Sequence, residues 1–264
     1  MKNLLVPIGT HTSAVNNLDY AVQLARLTGA RVYVTSIYPT HGKAGGMGRL
    51  SRVLEDDTEN LLRDTIAKVN TDGVEVIARP IGGNEDEKIQ AIATQLAIDL
   101  IIMSPRSNSN DDDKYVGRTT GRLIKRTQIP ILIVPINYKF ETPSTIQLAT
   151  KQVEFPRATT LTPLHKMLDT TGADLQVLHV VTPGSDAKTQ TLDSGLKEKA
   201  VQVVQTENAT TFQGVLENLK ELQPDMLVVT RRKRGFFERL WETDSIFKKD
   251  FYSAKPLLVL AGVQ

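Results

Sequence analysis

Four consecutive cationic side chains form the densest charge cluster of the chain: Arg231, Arg232, Lys233 and Arg234. Guanidinium and ammonium groups at this density could hold a nucleotide phosphate, an acidic protein or the backbone of a nucleic acid. A solvated basic loop has the same composition, and we favour that interpretation. Nucleic-acid binding would weaken steeply with salt and would be lost on reversing the charge of the run.

Other polar clusters fall in loops and do not complete a recognisable site. Asp111, Asp112 and Asp113 are adjacent carboxylates, which is typical of a solvated charge run. Four glycines between residues 42 and 48 lack the following lysine and hydroxyl residue of a Walker phosphate loop. His11 and His41 have no accompanying carboxylates at metal-ligand spacing, so we predict no metal site.

The sequence also contains no set of nucleophile, base and acid that would indicate an enzyme. Cysteine is absent, which excludes thiolate catalysis and disulfides and is typical of a reducing compartment. No stretch approaches the 18 or so apolar residues of a membrane span. The 32 basic and 30 acidic residues nearly cancel, so bulk binding of polyanions is not predicted. We expect a cytoplasmic protein without catalytic activity.

Short β-branched runs alternate with amphipathic stretches along the whole chain. The first part predicts strands at 4–8, 32–38, 74–81, 100–103 and 131–134, with helices at 14–28, 50–69, 85–97 and 119–127. After a linker at 137–144, the second part predicts strands at 146–149, 175–181, 201–205, 226–229 and 257–260, with helices at 163–171, 188–200, 212–222 and around 236–252. This order predicts an α/β fold with parallel sheets, whose ligands bind beyond the carboxyl ends of the strands where strand order reverses.

The two parts of the chain are an internal sequence repeat. Asp99 to Pro130 and Asp225 to Pro256 follow the same plan at a constant offset of 126 residues. Upstream, Thr28-Gly29-Ala30 recurs as Thr171-Gly172-Ala173 at an offset of 143. Because the offset falls between these blocks, the second copy has lost about 17 residues in its middle, which surface connections tolerate.

In order and spacing, several short segments resemble the universal stress protein family, specifically its tandem members, over essentially the whole chain. They are Leu5-Val6-Pro7, Thr28-Gly29-Ala30, the strand from Asp99 to Met103, Gly117 leading to Pro130 and the strand after it, the segment from Arg234 to Leu240, and the end from Pro256 to Leu260. The resemblance implies two tandem open, doubly wound five-stranded parallel-sheet domains, at 1–140 and 144–264, related by a pseudo-twofold axis. It also implies that the final strands, 131–134 and 257–260, pair across the two halves.

Many family members bind ATP through a glycine-rich motif after the fourth strand, where glycines admit phosphate close to the backbone. In the first copy the spacing is kept, but Ser104 and Ser107 stand at the first two glycine positions. Gly117 is retained, Arg118 replaces the hydroxyl residue, and Thr119 follows.

The family's adenosine-contacting aspartate is also replaced in both copies. Gly9 stands at that position in the first copy and Lys151 in the second. The second copy has Thr230 and Lys233 at the glycine positions, and ends the motif with Thr243 and Asp244.

We therefore predict a non-catalytic stress-response module that acts through protein partners, with a homodimer as one arrangement and ATP binding largely lost. The alternative is a protein that still binds ATP or AMP at the first site, through Gly117, Arg118 and helix amides. A weaker alternative is association with nucleic acid through the basic run at 231–234.

Overall fold

The computed structural model describes residues 1–40, 47–105, 113–151, 155, 160–183, 194–231, 246–248 and 251–261. The first half contains β1 Asn3–Pro7, α1 Ser13–Thr28, β2 Arg31–Tyr38, α2 Met47–Ile66, β3 Val76–Gly82, α3 Glu85–Gln95, β4 Leu100–Met103, β5 Lys114–Val116, α4 Arg118–Arg126 and β6 Ile131–Ile133. The second half contains β7 Thr145–Thr150, α5 Thr162–Thr171, β8 Asp174–Val181, α6 Ser194–Lys199, β9 Ala200–Glu207, α7 Thr211–Leu222, β10 Met226–Thr230, β11 Ile246–Phe247 and β12 Leu257–Leu260. The predicted alternation of strands and helices is confirmed up to β10; between β10 and β12 the described residues form a strand and no helix.

Ten of the strands form one sheet in the order β3-β2-β1-β4-β6-β12-β10-β7-β8-β9. Within each half the strands run parallel, as their apolar sequences indicated. Strand order reverses between β1 and β4 in the first half and between β7 and β10 in the second. These two places are where an open α/β sheet binds its ligands.

The halves join where β6 and β12 pair antiparallel, with Leu132 opposite Leu258. The predicted pairing of the final strands is therefore confirmed. Ile133 and Leu257, which face each other in the same register, are completely buried. Two apolar clusters, one on each face of the sheet, include residues from both halves, so the core is continuous across this seam.

Two aspartates that are 126 residues apart, Asp99 and Asp225, form matching hydrogen bonds in the two halves. Asp99 accepts hydrogen bonds from the backbone N–H groups of Lys2 and Asn3, at 2.6 and 3.1 Å. Asp225 accepts from the N–H groups of Ser144 and Thr145, at 2.9 and 3.1 Å. Each carboxylate thus fixes the start of a central strand, β1 or β7, to the start of its neighbour.

Two glycines that are 143 residues apart, Gly29 and Gly172, end corresponding helices in the same way. Gly29 and Gly172 end α1 and α5 in the left-handed conformation, with φ of 68° and 69°. Each donates its N–H to a helix carbonyl, of Ala25 or Leu168, at 2.8 Å. Glycine adopts this backbone conformation without the steric cost that a Cβ brings.

The predicted shortening of the second copy falls between its second and third strands. In the first half residues 39–75 connect β2 to β3, whereas residues 182–199 connect β8 to β9. On β9, at the edge of the sheet, Val201 and Val203 are 63% and 50% exposed.

Two short strands were not predicted. β5 and β11 pair antiparallel as a separate two-stranded sheet between the halves, with Ile246 opposite Val116. The helix predicted around 236–252 is therefore wrong at Ile246 and Phe247, since these residues form β11. Residues 251–253 are also not helical, and residues 236–245 of that prediction lie outside the described residues.

A row of three glutamines crosses the second half. Gln147, Gln176 and Gln202 are register partners on β7, β8 and β9. Gln147 is completely buried, and neither of its amide atoms has a hydrogen-bond partner among the described residues. Leu5 stands at the equivalent position of β1, since Leu5 and Gln147 pair with the repeat-related Ile101 and Leu227.

We expect Ile133→Asp to abolish cooperative folding or separate the halves, because it places an unpaired charge in the buried seam. Ile133→Val, which removes one methylene, should cost only about 0.5–1.5 kcal/mol of unfolding free energy. Urea unfolding and size-exclusion chromatography measure both effects. A cooperatively folded Ile133→Asp protein of unchanged hydrodynamic size would contradict the structural role of the seam.

Replacing Asp225 with asparagine should lower stability at neutral pH by an amount that shrinks in acid. Burial alone would raise the pKa of the Asp225 carboxyl, but its hydrogen bonds from Ser144 and Thr145 and nearby Lys255 outweigh burial and hold the pKa below its usual value. A lowered folded-state pKa contributes stability above the unfolded pKa of about 3.9, and this is lost as pH falls through the folded value.

Urea unfolding from pH 7 to pH 2 tests this expectation, with the exposed Asp174→Asn on β8 as the control. A stability difference for Asp225→Asn that stayed constant across this range would show that the carboxylate charge does not matter.

Gln147→Leu should raise the unfolding free energy by about 1–2 kcal/mol, because a buried amide without partners costs about that much. Gln202→Leu, on the same row but exposed, should change it by less than about 0.5 kcal/mol. Equal effects in chemical denaturation would show that burial of the Gln147 amide is not the cause.

Candidate functional site

A cavity of about 230 Å³ opens at the carboxyl ends of β1 and β4, where strand order reverses in the first half. It is lined by Pro7, Ile8, Gly9, His11, Ser13, Ala14, Asn17, Met103, Ser104 and Thr119. These residues come from the loop after β1, the first turns of α1, the end of β4 and the start of α4. The topology alone therefore brings three separate segments of the chain, at 7–17, 103–104 and 119, to one place.

A chain of hydrogen bonds connects two of these segments at the floor of the cavity. His11 Nδ1 accepts the backbone N–H of Ser13 at 3.1 Å and lies 2.9 Å from Ser13 Oγ. Ser13 Oγ in turn lies 3.0 Å from Ser104 Oγ. Ser13 and Ser104 are both buried, so the start of α1 is attached to the end of β4.

The start of α4 forms a second wall of the cavity. Gly117 is the N-cap, and it donates its N–H to the carbonyl of Pro105 at 2.8 Å. Thr120 donates its hydroxyl to the carbonyl of Ser104 at 3.1 Å. Gly117 has an extended backbone, with φ of −80°, so its conformation does not itself require glycine. Arg118, the first helical residue, is exposed beside the cavity wall formed by Thr119.

Asn17 supplies a polar group with its hydrogen-bonding capacity unused. Its side chain is 3% exposed and lines the cavity, and Oδ1 has no hydrogen-bond partner among the described residues. Ser13 and Asn17 are four residues apart in α1 and so share a helix face. A buried amide oxygen without a partner costs free energy, which a bound donor such as a hydroxyl would recover.

The electrostatics of the cavity favour a neutral or anionic ligand. None of its described lining residues is acidic, and the first turns of α1 and α4 both border it. The N–H groups at a helix N-terminus carry partial positive charge and attract anions. Hydroxyl, imidazole and amide groups at the floor can bind the hydroxyls of a sugar.

The same geometry does not provide a catalytic triad. In the described part of the chain, the side chain of His11 forms hydrogen bonds only with Ser13. An activating histidine needs a further group that orients its ring, and the described lining residues include no carboxylate to do so.

Most of the predicted first-site residues come together here. Gly9, Ser104 and Thr119 line the cavity, and Gly117 and Arg118 border it. A Cβ added to Gly9 would meet no atom within 4 Å, so a side chain fits there. Ser107 lies outside the described residues, as do Asp111 and Asp112 of the acidic run.

The corresponding place in the second half is organised differently, and it corrects our interpretation of Arg231. Arg231 follows β10 directly, but it is neither solvated nor exposed, since its exposed fraction is 4%. Its Nη1 donates to the carbonyl oxygens of Ile124, Lys125 and Thr127, at 2.7, 3.0 and 2.6 Å. Burial lowers the pKa of the guanidinium, which nevertheless stays charged. Arg231 is thus unavailable to a nucleic acid, and the other three cations of the run lie outside the described residues.

Of the remaining second-site residues, Thr230 and Lys151 lie at the carboxyl ends of the paired strands β10 and β7, where Val229 is opposite Ala149. Thr230 is buried at the end of β10. Lys151 contributes its backbone carbonyl, which lies 3.3 Å from His179 Nε2. Lys233, Thr243 and Asp244 lie outside the described residues.

The His11, Ser13 and Ser104 network, Asn17 and the burial of Arg231 were not predicted from the sequence. Ser13 and Asn17 share a helix face, and this spacing was the one signal that could have been used. The contacts of Ser13 with Ser104 and of Arg231 with α4 join residues 91 and more positions apart, so only the folded chain brings them together.

In the part of the chain that the structure describes, no helix is long and apolar enough to cross a membrane. Those residues also hold no group of three or more side chains suited to bind a metal ion.

An open parallel sheet with helices on both faces and a cavity at its switch point defines a nucleotide-binding type of α/β fold. The sequence model of the Universal stress protein family matches residues 1–135. The chain belongs to the universal stress protein family.

Solved structures share the fold over the whole chain. A universal stress protein from Archaeoglobus fulgidus DSM 4304 is 14% identical, with a TM-score of 0.71 over 98% of this chain and 96% of its own. A protein of unknown function from Pseudomonas aeruginosa PAO1 is also 14% identical, with a TM-score of 0.61 over 99% of this chain and 93% of its own. No curated protein sequence matches the chain significantly.

Proposed function

We propose that this chain is a tandem universal stress protein, with domains at 1–140 and 144–264, that acts as a non-catalytic regulatory module. Its first half keeps one ligand site, which binds AMP, and its second half has no nucleotide site. The AMP-bound and free forms would differ at α1 and α4, and this difference would be transmitted to protein partners.

The observation that carries the proposal is the asymmetry of the two switch points. The first holds a cavity whose buried Asn17 oxygen lacks a partner. At the second, the chain leaves β10 and immediately buries Arg231 against α4. The Nη1 of this guanidinium is bonded to three carbonyl groups, and its Nη2, which has no partner among the described residues, is buried and so is not open to an external phosphate.

The size of the cavity favours a small nucleotide. At about 230 Å³ it falls below the roughly 300–1,000 Å³ of typical ligand pockets. It therefore encloses part of a nucleotide, and the phosphate would lie outside, near Arg118 and the first N–H groups of α4. The acidic run at 111–113 lies only a few residues before Gly117 in the sequence, and its charge would disfavour additional phosphates. These features support AMP over ATP.

Titration calorimetry of AMP and ATP with Mg²⁺ tests the proposal, once native mass spectrometry has shown whether a ligand co-purifies. We expect one saturable AMP site per chain, weaker ATP binding and no phosphate release from ATP above background. At 100 times its dissociation constant, AMP should add about 2.7 kcal/mol of stability, which a thermal melt detects. Absence of heat, of a melt shift and of co-purified nucleotide would show that the first site is not a nucleotide site. Binding of two AMP molecules per chain would contradict the proposal that the second half has no nucleotide site.

Gly9→Asp should strengthen AMP binding about tenfold, because a carboxylate can accept hydrogen bonds from ribose hydroxyls and the position has room for it. Gly9→Ala controls for the loss of glycine. Lys151→Asp makes the matched change in the second half and should create no site. Calorimetry would count against the proposed ribose position if Gly9→Asp and Gly9→Ala bound AMP equally.

A further inference from the structure

α4 is a short helix whose two ends face different parts of the molecule. Its N-terminal end, at Gly117 and Thr119, borders the cavity of the first half. Its C-terminal carbonyls, of Ile124, Lys125 and Thr127, receive the guanidinium of Arg231 from the second half. Nine residues of helix span only about 13 Å, so the two ends are close.

The contact at the C-terminal end is electrostatically favourable. The last carbonyl groups of a helix have no partners within it and carry the negative end of the helix dipole. A buried guanidinium satisfies these acceptors and compensates their charge with one group. Arg231 is well fixed for this role, since its backbone N–H bonds to the carbonyl of Leu260 in the adjacent strand at 2.9 Å.

The N-terminal end of α4 is also attached to the second half. Lys114 and Val116, in the strand immediately before Gly117, pair with Phe247 and Ile246 of β11. Lys248 extends this attachment by donating its N–H to the carbonyl of Asp113 at 2.7 Å. The second half therefore holds α4 at both ends.

A helix this short is marginal in water and forms or unfolds nearly as a unit. Loss of the contact at its C-terminal end should therefore also destabilise its N-terminal turn. From this geometry we infer that Arg231 is a positioning residue, through which the second half orders α4 and so shapes the ligand cavity of the first half. The effect on ligand affinity rests on the function proposed above, whereas the ordering of α4 does not.

Amide hydrogen exchange followed by NMR on Arg231→Met tests the ordering directly. The substitution keeps an unbranched side chain but removes the guanidinium. Protection should fall about tenfold or more at Thr127, and also at Gly121 and Gly117, whose N–H groups bond to the carbonyls of Gly117 and Pro105. The amide of Ile101, in the sheet beneath, should keep its protection.

Two further variants separate this role from general destabilisation. Arg231→Lys keeps a cation near the carbonyls and should show an intermediate loss of protection. Arg63→Met removes an exposed arginine of α2 that bonds to Asn60 within the same helix, and should leave α4 unchanged. A loss of protection confined to Thr127, or none, would overturn the inference.

The AMP affinity of Arg231→Met should fall about tenfold if α4 is ordered only about a tenth of the time. A wild-type protein that binds no AMP would refute the proposed function, and the exchange pattern would still decide the role of Arg231. If the wild type and Arg231→Met bind AMP equally and Gly117 and Gly121 keep their protection, the role of Arg231 is wrong and the AMP site stands.

Discussion

The antiparallel pairing of β6 with β12 is the contact on which the rest of the structure depends. Each half is a parallel sheet that ends, at the side facing the other half, in a strand that is apolar on both faces: β6 in the first half and β12 in the second. Left alone, either strand would present an open apolar edge, which is prone to aggregation. Their pairing makes one ten-stranded sheet, and both apolar clusters then continue from one half to the other. Because β10 lies beside β12 in the second half, the pairing of β12 with β6 also sets Arg231 within reach of α4.

Much of this fold could be predicted from the sequence because the repeat and the apolar strands are local signals. The offsets of 126 and 143 residues correspond to matched contacts at Asp99 and Asp225 and at Gly29 and Gly172. The strands β5 and β11 could not be predicted in this way. They are three and two residues long, too short for a periodic pattern, and their pairing joins distant segments. The sequence pattern therefore predicts a helix at Ile246 and Phe247, where the structure has β11.

The site was predictable to the extent that topology determines it. Gly9, Ser104 and Thr119 meet because parallel strands place their carboxyl ends at one edge of the sheet. The direction of individual side chains is set by packing instead. Nothing in a run of four cations indicates that the first is buried against a helix end in the other half, since this contact spans more than 100 residues of sequence.

The position of the seam also has a consequence for synthesis of the protein on the ribosome. Ile133 of β6 emerges more than a hundred residues before Leu257 of β12, its partner in the sheet. At cellular elongation rates this delay lasts on the order of ten seconds. During that time the first half can complete its own parallel strands while one apolar edge stays open to other nascent chains. A chaperone that covers this edge would serve as a temporary substitute for the second half.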